Sequence, residues 1–232
     1  MIEQRALIYG FFLGSSIWVF LILLIILRIF VYQQVSVVGG SMEPNYHTGE
    51  LLFVNQIGNN FERGMVVAAY DNENTAAEAN YLTRFSPSTR FLLKRIVGLP
   101  GEEIEMIQDK VIIYNQENPD GVLLEEKYLG QKARQDQIQS DFYFPKTKIA
   151  KDHYFLLGDN RSNSIDSRRK GAFADFSILG YETIRFWPFS EFKFFNDPGY
   201  EFLQIDEVTK SLLDNARQKQ SLVFKASPSS NF

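Results

Sequence analysis

Three segments of this 232-residue chain contain the residue types that a hydrolytic site needs. They are VVGGSMEP at 37–44, LKRIVGLPGE at 93–102 and GDNRSNSIDSR at 158–168. Ser41 follows two glycines, which leave the backbone open to the close approach of a substrate carbonyl, and its amide can donate to an oxyanion. Taken singly, each segment is typical of a surface turn or a solvated strand edge. Together they favour a serine nucleophile, which requires a base.

Lys94 is the base that the composition favours. The chain has two histidines and no cysteine, which excludes disulfides and a cysteine nucleophile and leaves little for a triad or a metal site. Lys94 follows Phe91-Leu92-Leu93, and burial of such a strand lowers a lysine pKa by up to about 3 to 5 pH units. Alternation along the strand puts Arg95 on the opposite face, free for a structural ion pair.

The overall composition is that of a globular protein with one domain and an appendage. Hydrophobic residues make up 45% and charged residues 22% of the chain, a balance that argues against disorder throughout. The formal net charge of -4 provides no basic surface for phosphates. We therefore expect no nucleic-acid partner.

The N-terminal segment is predicted to be a transmembrane helix. No charged residue occurs from Ala6 to Leu27, and at about 1.5 Å per residue this run spans a hydrocarbon core of roughly 30 Å. A cleaved signal peptide has a shorter apolar region that ends in small residues, so we expect the segment to be retained. A buried core helix is the alternative, and the uninterrupted apolar run disfavours it. Arg5 and Arg28 flank the two ends, so charge leaves the orientation open.

The remainder of the chain reads as short β-strands separated by turn residues, and turn chemistry of this kind favours antiparallel strands over alternating β and α units. The fold class is therefore mostly β, an antiparallel β-sheet catalytic domain with one N-terminal transmembrane helix. Polar stretches at 71–80 and 129–141 are predicted to be surface excursions. Apolar residues at helical spacing predict an amphipathic helix over Gln204–Lys219, followed by a weakly ordered tail. Strands are predicted at 50–56, 65–70, 91–98, 102–107, 110–115 and 152–158.

Four motifs occur in one order and cover roughly residues 30–188. They are Ser-Met-x-Pro at 41–44 with Gly49-Glu50 after it, Arg-Gly at 63–64, Lys-Arg-x-x-Gly-x-Pro-Gly-Glu at 94–102, and Gly-Asp-Asn-Arg-x-Asn-Ser-x-Asp-Ser-Arg at 158–168. In this order they resemble the type I signal peptidases, membrane-bound serine endopeptidases that remove signal peptides from exported proteins. The last two motifs are long and specific.

The resemblance implies a Ser/Lys dyad without histidine, in which Ser41 is the nucleophile and Lys94 the general base. Ser164 matches the family serine that hydrogen-bonds the lysine and orients it. It also implies an oxyanion hole that includes the Ser41 amide, and no metal or cofactor. Residues expected to have structural roles near the site are Arg95, Asp159, Asn160, Arg161, Asp166 and Arg168.

Three positions depart from the family pattern. Some members have a serine two residues before the nucleophile that adds an oxyanion donor, but this chain has Gly39 there. A glycine amide, a water or nothing then takes that role, and an unreplaced donor costs about 10² to 10³ in rate. Met65 replaces an acidic residue after Arg63-Gly64, which affects a turn contact. Asn45-Tyr46 replaces a small polar residue and leucine, which affects the wall of the substrate pocket.

The expected substrates are exported preproteins whose extended cleavage region adds to a strand edge of the enzyme. Small residues of an Ala-x-Ala pattern are expected to enter shallow pockets lined by Val38, Met42 and Leu93. By resemblance the second partner is the lipid bilayer. The enzyme is expected to be a single-pass protein of the cell membrane with its catalytic domain on the outer, periplasmic or extracellular face, or of another energy-transducing membrane such as the thylakoid.

Three parts are predicted along the chain: an anchor at 1–32, a catalytic β domain at 33–200 with a small insertion lobe around 101–152, and a helix with a tail at 201–232. Two alternatives remain open. One is a Ser/Lys enzyme with another substrate, such as a self-cleaving repressor or a relative dedicated to conjugation or to organellar presequences. The other is a catalytically silent, membrane-tethered β domain that binds peptides. The intact segments around Lys94 and Ser164 argue against the second.

Overall fold

The computed structural model describes residues 14–25, 31–58, 60–71, 73–79, 91–108, 110–129, 142–195 and 200–226. Residues 14–25 form helix α1, and most of its side chains are exposed. Over these ranges, no helix is both long enough and apolar enough to cross a membrane. The predicted span from Ala6 to Leu27 lies partly outside the described residues, so the transmembrane helix stays a prediction.

The described residues form thirteen β-strands and, besides α1, three further α-helices. The helices are α2 (Glu73–Ala77), α3 (Ser167–Lys170) and α4 (Glu207–Ala226). The strands are β1 (Tyr32–Ser36), β2 (Leu51–Asn55), β3 (Val66–Tyr70), β4 (Phe91–Gly98), β5 (Glu103–Ile107), β6 (Lys110–Tyr114), β7 (Val122–Glu125), β8 (Tyr143–Lys148), β9 (His153–Leu157), β10 (Phe173–Ala174), β11 (Ile178–Trp187), β12 (Lys193–Phe194) and β13 (Glu201–Leu203).

An eight-stranded sheet carries all three segments that the sequence singles out. Its order is β1-β2-β11-β3-β4-β9-β10, with β12 paired to β11, and its strand pairs are antiparallel. β1 alternates between buried and exposed residues, as expected at an edge with one solvated face. β3 is buried throughout. β4, which lies between β3 and β9, is buried from Leu93 to Gly98. Lys94 therefore lies on a strand in the interior of the sheet.

A second, five-stranded sheet has the order β13-β7-β6-β5-β8. Its apolar residues Ile104, Met106 and Val111 share one core with Val97 of β4 and Phe155 of β9. Helix α4 lies against this sheet through buried Leu213, which contacts Ile107 and Tyr114. Arg217 of α4 forms an ion pair with fully buried Glu105 at 2.6 Å. The second sheet thus packs against β4 and β9 through this shared apolar core.

The prediction of a mostly β, antiparallel fold is confirmed, and each of the six predicted strands is present. The predicted tail was placed too early, because α4 continues to Ala226. The stretch at 71–80 contains a short helix, α2, in which Ala76 is buried while residues 74, 75 and 77 are exposed. Residues 130–141 lie outside the described part of the chain. The division into 1–32, 33–200 and 201–232 stays a prediction.

Candidate active site

The side chains of Ser41 and Lys94 meet at the eight-stranded sheet. Ser41 lies in the turn that follows β1, and Lys94 lies on β4, where it pairs across the sheet with Val67 of β3. Lys94 Nζ donates a hydrogen bond to Ser41 Oγ at 2.8 Å and another to the carbonyl oxygen of Leu93 at 2.8 Å. The lysine is 2% exposed. The contact is short enough for direct proton transfer between hydroxyl and amine.

Burial lowers the pKa of Lys94 to about 8, and the nearby carboxylates of Asp166 and Asp159 limit this decrease. A buried amine loses hydration that the charged form needs, so the neutral form is favoured. At pH 7 roughly one lysine in ten is then neutral, compared with less than one in a thousand for a lysine of ordinary pKa. The Lys94 amine is therefore neutral in a larger fraction of molecules at physiological pH than an exposed lysine is.

The segment at 158–168 holds the Ser41 turn from the opposite side. The backbone amide of Asn160 donates to the carbonyl oxygen of Ser41 at 3.0 Å, and its side-chain amide donates to the carbonyl of Gly40 at 3.0 Å. A Cβ atom at Gly158 would lie 2.5 Å from the Ser41 carbonyl oxygen and 2.3 Å from Ser164 Oγ. Glycine is therefore required where the two segments touch.

Asp159 connects β4 to the nucleophile turn. Its carboxylate accepts from Arg95 Nε at 2.8 Å and Nη2 at 2.6 Å, and from Asn45 Nδ2 at 2.8 Å. The Arg95 guanidinium also lies 4.1 Å from the ring centroid of Tyr128. Asn45 thus links the Ser41 turn to the ion pair between Arg95 and Asp159. From the sequence, Asn45 was only a departure from the family pattern.

Two further ion pairs fix the same segment. Arg168 donates to both oxygens of Asp166 at 2.8 Å, and Asp166 also accepts from the Gly158 amide at 3.0 Å. Burial alone would raise the pKa of Asp166, but its bonds with Arg168 hold that pKa below its ordinary value. Arg161 is buried and binds Glu126. These pairs keep the loop rigid where it contacts Ser41.

Ser164 lies in this loop without a hydrogen bond to the lysine. Its Oγ is buried, and a hydrogen bond from Ser164 contributes to the lowered pKa of Asp166. The two hydrogen bonds of the Lys94 amine go instead to Ser41 and to the Leu93 carbonyl. The orienting role predicted for Ser164 therefore rests on the motif.

The Gly39 amide, predicted as a candidate oxyanion donor, is already engaged. It donates to Thr48 Oγ1 at 3.0 Å, and the Thr48 hydroxyl lies 3.3 Å from the Gly39 carbonyl oxygen. Gly39 has a φ of 85°, a conformation that favours glycine and that Thr48 holds in place. The Ser41 amide has no hydrogen-bond partner within the described ranges. In this arrangement Ser41, and not Gly39, has an amide available for an oxyanion.

The predicted pocket residues do not share one surface. Val38 is 83% exposed, whereas Met42 and Leu93 are 1% and 8% exposed. Met42 and Leu93 belong to one apolar cluster with Tyr46, so they form the core beneath the turn. Tyr46 is buried as well, and its hydroxyl donates to Glu182. It does not line a pocket wall, because its ring lies in the interior.

A serine hydroxyl bonded to a buried lysine amine on an antiparallel β fold defines a class of serine hydrolase in which lysine takes the place of histidine. Sequence comparison identifies the family within this class. Residues 11–187 match the family model described as signal peptidase, peptidase S26. Over the parts of the chain that the structure describes, no group of three or more His, Asp or Glu side chains is arranged to hold a metal ion.

Named relatives agree with the family model. The chain is 33% identical to signal peptidase I P of Bacillus subtilis subsp. natto over 78% of this chain and 90% of that protein. It is 32% identical to signal peptidase IB of Staphylococcus aureus over 79% of this chain and 92% of that protein. A solved signal peptidase I from Enterococcus faecalis has 25% sequence identity and covers 53% of this chain and 96% of its own, with a TM-score of 0.38. The chain belongs to the signal peptidase family, peptidase S26, and is a serine peptidase of the signal peptidase I type, which cleaves signal peptides from preproteins.

Replacing Asp159 by asparagine is expected to lower the free energy of unfolding by about 3 to 5 kcal/mol, because the buried charge of Arg95 loses its partner. Cleavage should fall as well, because a neutral amide binds Asn45, and through it the Ser41 turn, less strongly than the carboxylate does. Chemical denaturation measures the first effect. Asp120→Asn is the matched control, because Asp120 is exposed. Equal unfolding free energies for the two variants would show that the pair has no structural role.

Proposed function

We propose that this chain is a membrane-bound signal peptidase in which Ser41 is the nucleophile and Lys94 the general base. The observation that carries the proposal is the 2.8 Å contact between Lys94 Nζ and Ser41 Oγ, made by an amine that is buried and has a lowered pKa. Among the described residues, the hydrogen-bond partner of the Ser41 hydroxyl is Lys94 and neither histidine, and His153 Nδ1 lies 2.7 Å from Asp152 Oδ1.

The reaction follows from this contact. Neutral Lys94 accepts the Ser41 proton while Oγ attacks the carbonyl carbon at the cleavage site. The Ser41 amide donates to the oxyanion that forms. Lys94 then returns the proton to the leaving amine, and the acyl-enzyme remains. In the second half, Lys94 takes a proton from water, the hydroxide attacks the ester, and the proton returns to Ser41 Oγ as the signal peptide's new carboxyl end is released.

Ser164 is proposed to orient Lys94 during this cycle. Its hydroxyl is buried and lies close to the nucleophile segment, because a Cβ atom at Gly158 would be 2.3 Å from Ser164 Oγ and 2.5 Å from the Ser41 carbonyl oxygen. When Ser41 becomes acylated, the lysine amine loses its bond to the serine hydroxyl. Ser164 is the motif serine beside this segment, which supports the assignment.

The substrate is proposed to be a preprotein with small residues at the third and first positions before the cut. Exposed Val38 and the open backbone at Gly39-Gly40 adjoin the nucleophile, and they favour a shallow contact with an extended peptide. The Val38 side chain then contacts substrate. Met42 and Leu93 support the surface from below, because they are buried.

The lipid bilayer is proposed as the second partner. Besides the uncharged run from Ala6 to Leu27, four exposed aromatic residues lie between the end of β11 and the end of β12, namely Trp187, Phe189, Phe192 and Phe194. The ring centroids of Trp187 and Phe189 lie 5.1 Å apart in an edge-to-face arrangement, and those of Phe192 and Phe194 lie 5.2 Å apart in the same arrangement. Exposed aromatic rings of this kind favour a membrane interface. The proposed topology is single-pass, with the anchor at 1–32 and the catalytic domain at 33–200 on the outer face.

Lipid contact predicts quenching of Trp187 fluorescence. The chain has two tryptophans, so the full-length Trp18→Phe variant isolates Trp187. In vesicles of phosphatidylcholine and phosphatidylglycerol with brominated acyl chains, we expect strong quenching relative to unbrominated vesicles. The Trp187→Phe variant, which reports Trp18, is the positive control. If Trp18 is quenched and Trp187 is not, the aromatic cluster does not contact lipid.

Cleavage of a preprotein in detergent tests the proposed function. We expect a single cut after an Ala-x-Ala site, identified by the mass of the mature product, and a strong decrease when either alanine is replaced by a bulky residue. The rate should rise with pH along a limb near pH 8, because the neutral fraction of Lys94 increases as its proton is lost. A flat profile from pH 5 to 10 would contradict a lysine base.

A further inference from the structure

Residues 126–129 follow β7 of the second sheet and lie against the active site. The Leu129 amide donates to the carbonyl oxygen of Glu126 at 3.1 Å, which closes a turn, and both residues are buried. Tyr128 lies between them in the chain, and its contacts reach the end of the Ser41 turn, strand β4 and the loop that holds the turn. The reaction described above uses no residue of this segment, so these contacts need an explanation.

The backbone carbonyl of Tyr128 is bonded to the Ser41 turn. Asn45 Nδ2 donates to this carbonyl oxygen at 2.9 Å and to Asp159 Oδ2 at 2.8 Å. Asn45 is the fourth residue after Ser41, and its own backbone amide donates to the carbonyl oxygen of Met42 at 3.1 Å. The Asn45 side chain therefore connects the end of the nucleophile turn to the second sheet.

The Tyr128 ring packs on the guanidinium of Arg95, which follows Lys94 on β4. Arg95 Cζ lies 4.1 Å from the ring centroid, and Arg95 is buried. A guanidinium that has lost hydration is attracted to the face of an aromatic ring. Arg95 also donates two hydrogen bonds to Asp159. The ring and the carbonyl of Tyr128 thus act on the same carboxylate, the ring through Arg95 and the carbonyl through Asn45.

The Tyr128 hydroxyl is fixed by a buried ion pair. It donates to Glu126 Oε1 and accepts from Arg161 Nη2 at 3.2 Å. Arg161 binds both oxygens of Glu126, with 2.8 Å between Nη1 and Oε2, and its Nε donates to the carbonyl oxygen of Gly158 at 3.0 Å. Tyr128 is therefore held at its hydroxyl, its ring and its carbonyl, and each of these contacts leads to a segment that borders the dyad.

We propose that Tyr128 is a positioning residue for the nucleophile and that it acts through Arg95 and Asn45. Its ring keeps Arg95 in place on β4, and its carbonyl keeps Asn45 in place at the end of the turn. Together these contacts hold Ser41 Oγ within reach of Lys94 Nζ. The inference rests on the proposed function, because it concerns the rate of the reaction between these two groups. It gives the second sheet a part in that reaction, although the dyad lies on the first sheet and its turn.

The test is the measurement of kcat and KM for preprotein cleavage by the full chain in detergent. Tyr128→Leu removes the ring, and we expect kcat to fall about tenfold, because a small displacement of the nucleophile from its base lowers the rate. KM should stay within about twofold, since the exposed Val38 and the backbone at Gly39-Gly40 are not altered. Tyr128→Phe keeps the ring on Arg95 and should retain at least about half of the wild-type kcat.

A double variant tests whether Tyr128 acts through the turn. Asn45→Ala removes the hydrogen bonds to Tyr128 and to Asp159, and we expect kcat to fall about tenfold here as well. Residues of one network have effects that do not add. The variant with both Tyr128→Leu and Asn45→Ala should therefore lose about twentyfold in kcat, whereas independent effects would multiply to about a hundredfold. A loss of about a hundredfold overturns the inference.

Tyr143→Leu is the matched control for general damage. Tyr143 belongs to the same sheet and is also partly buried, and its hydroxyl likewise donates to a glutamate, Glu105, at 2.7 Å. It lies on β8, which two strands separate from β7, so its replacement should leave kcat within about twofold of the wild type. Thermal melting verifies that each variant is folded.

Three results overturn the inference: an unchanged kcat in Tyr128→Leu, the same loss in Tyr128→Phe, or the same loss in Tyr143→Leu. If Tyr128→Leu melts below the assay temperature, Asn45→Ala carries the test, and an unchanged kcat in that variant overturns the inference. If Ser41→Ala also cleaves like the wild type, the proposed function fails instead.

Discussion

Replacing Ser41 by alanine is expected to reduce preprotein cleavage by about 10⁴-fold or more, because the acyl-enzyme has no other nucleophile. The change removes one hydroxyl from a half-buried turn whose backbone bonds to Asn160 remain. The fold should therefore be preserved, and the melting temperature should change by no more than about 2 °C. Loss of rate without loss of structure is the distinguishing result.

The cleavage rate is measured with the full-length protein in detergent and a purified preprotein. The mature product is identified by its mass. Ser36→Ala is the control, since Ser36 is an exposed serine at the end of β1. It should cleave like the wild type. Cleavage retained by Ser41→Ala at more than a few per cent of the wild-type rate would remove Ser41 as the nucleophile and would favour a peptide-binding or differently catalysed protein.

Replacing Lys94 by methionine is expected to abolish cleavage to the same extent and to increase stability. Methionine has a similar length and no amine, so Ser41 loses its base. Burial depresses the lysine pKa from 10.5 to about 8, so the charged form is disfavoured in the folded state. At pH 7, burial of the charged amine lowers the free energy of unfolding by on the order of 2 to 3 kcal/mol, and the methionine variant should not have this penalty.

The sign of the pH dependence follows from this lowered pKa. Between about pH 8 and 10 the unfolded chain keeps a lysine proton that the folded chain has lost, so wild-type stability should rise across this window. Lys94→Met should lack that rise. Lys127→Met is the control, because the Lys127 side chain is 61% exposed. Urea denaturation at pH 7 and pH 10 measures the difference, and equal slopes for wild type and Lys94→Met would contradict a buried, depressed amine.

The two changes together should be no more damaging than either alone, because nucleophile and base act in one step. A double variant that is far less active than both single variants would indicate that Ser41 and Lys94 act independently. The 2.8 Å contact between their side chains predicts the first outcome.

The local part of the structure could be predicted from the sequence. The six strands were recognisable because alternation of side chains and turn residues are local properties. Burial of Lys94 follows from the apolar residues before it, and the two glycines before Ser41 predict its turn. The end of α4 is not evident from the sequence, since Ser221, Val223 and Phe224 have only modest helix propensity, yet α4 continues to Ala226.

The partners of these residues were decided by the tertiary structure. Asn160 binds Gly40 across 120 positions of chain, and Tyr46 binds Glu182 across 136. The first contact depends on β9, which precedes Asn160 and pairs with β4, and the second depends on β11, which lies between β2 and β3 although it follows them by more than a hundred residues. Periodicity tells which face of a strand is buried, but it does not tell which strand lies beside it. The sequence by itself determined the strands and predicted a serine nucleophile and a lysine base. The tertiary structure decided that Met42 and Leu93 lie in one core cluster with Tyr46 and that the Tyr46 hydroxyl binds Glu182, because those contacts depend on where distant strands meet.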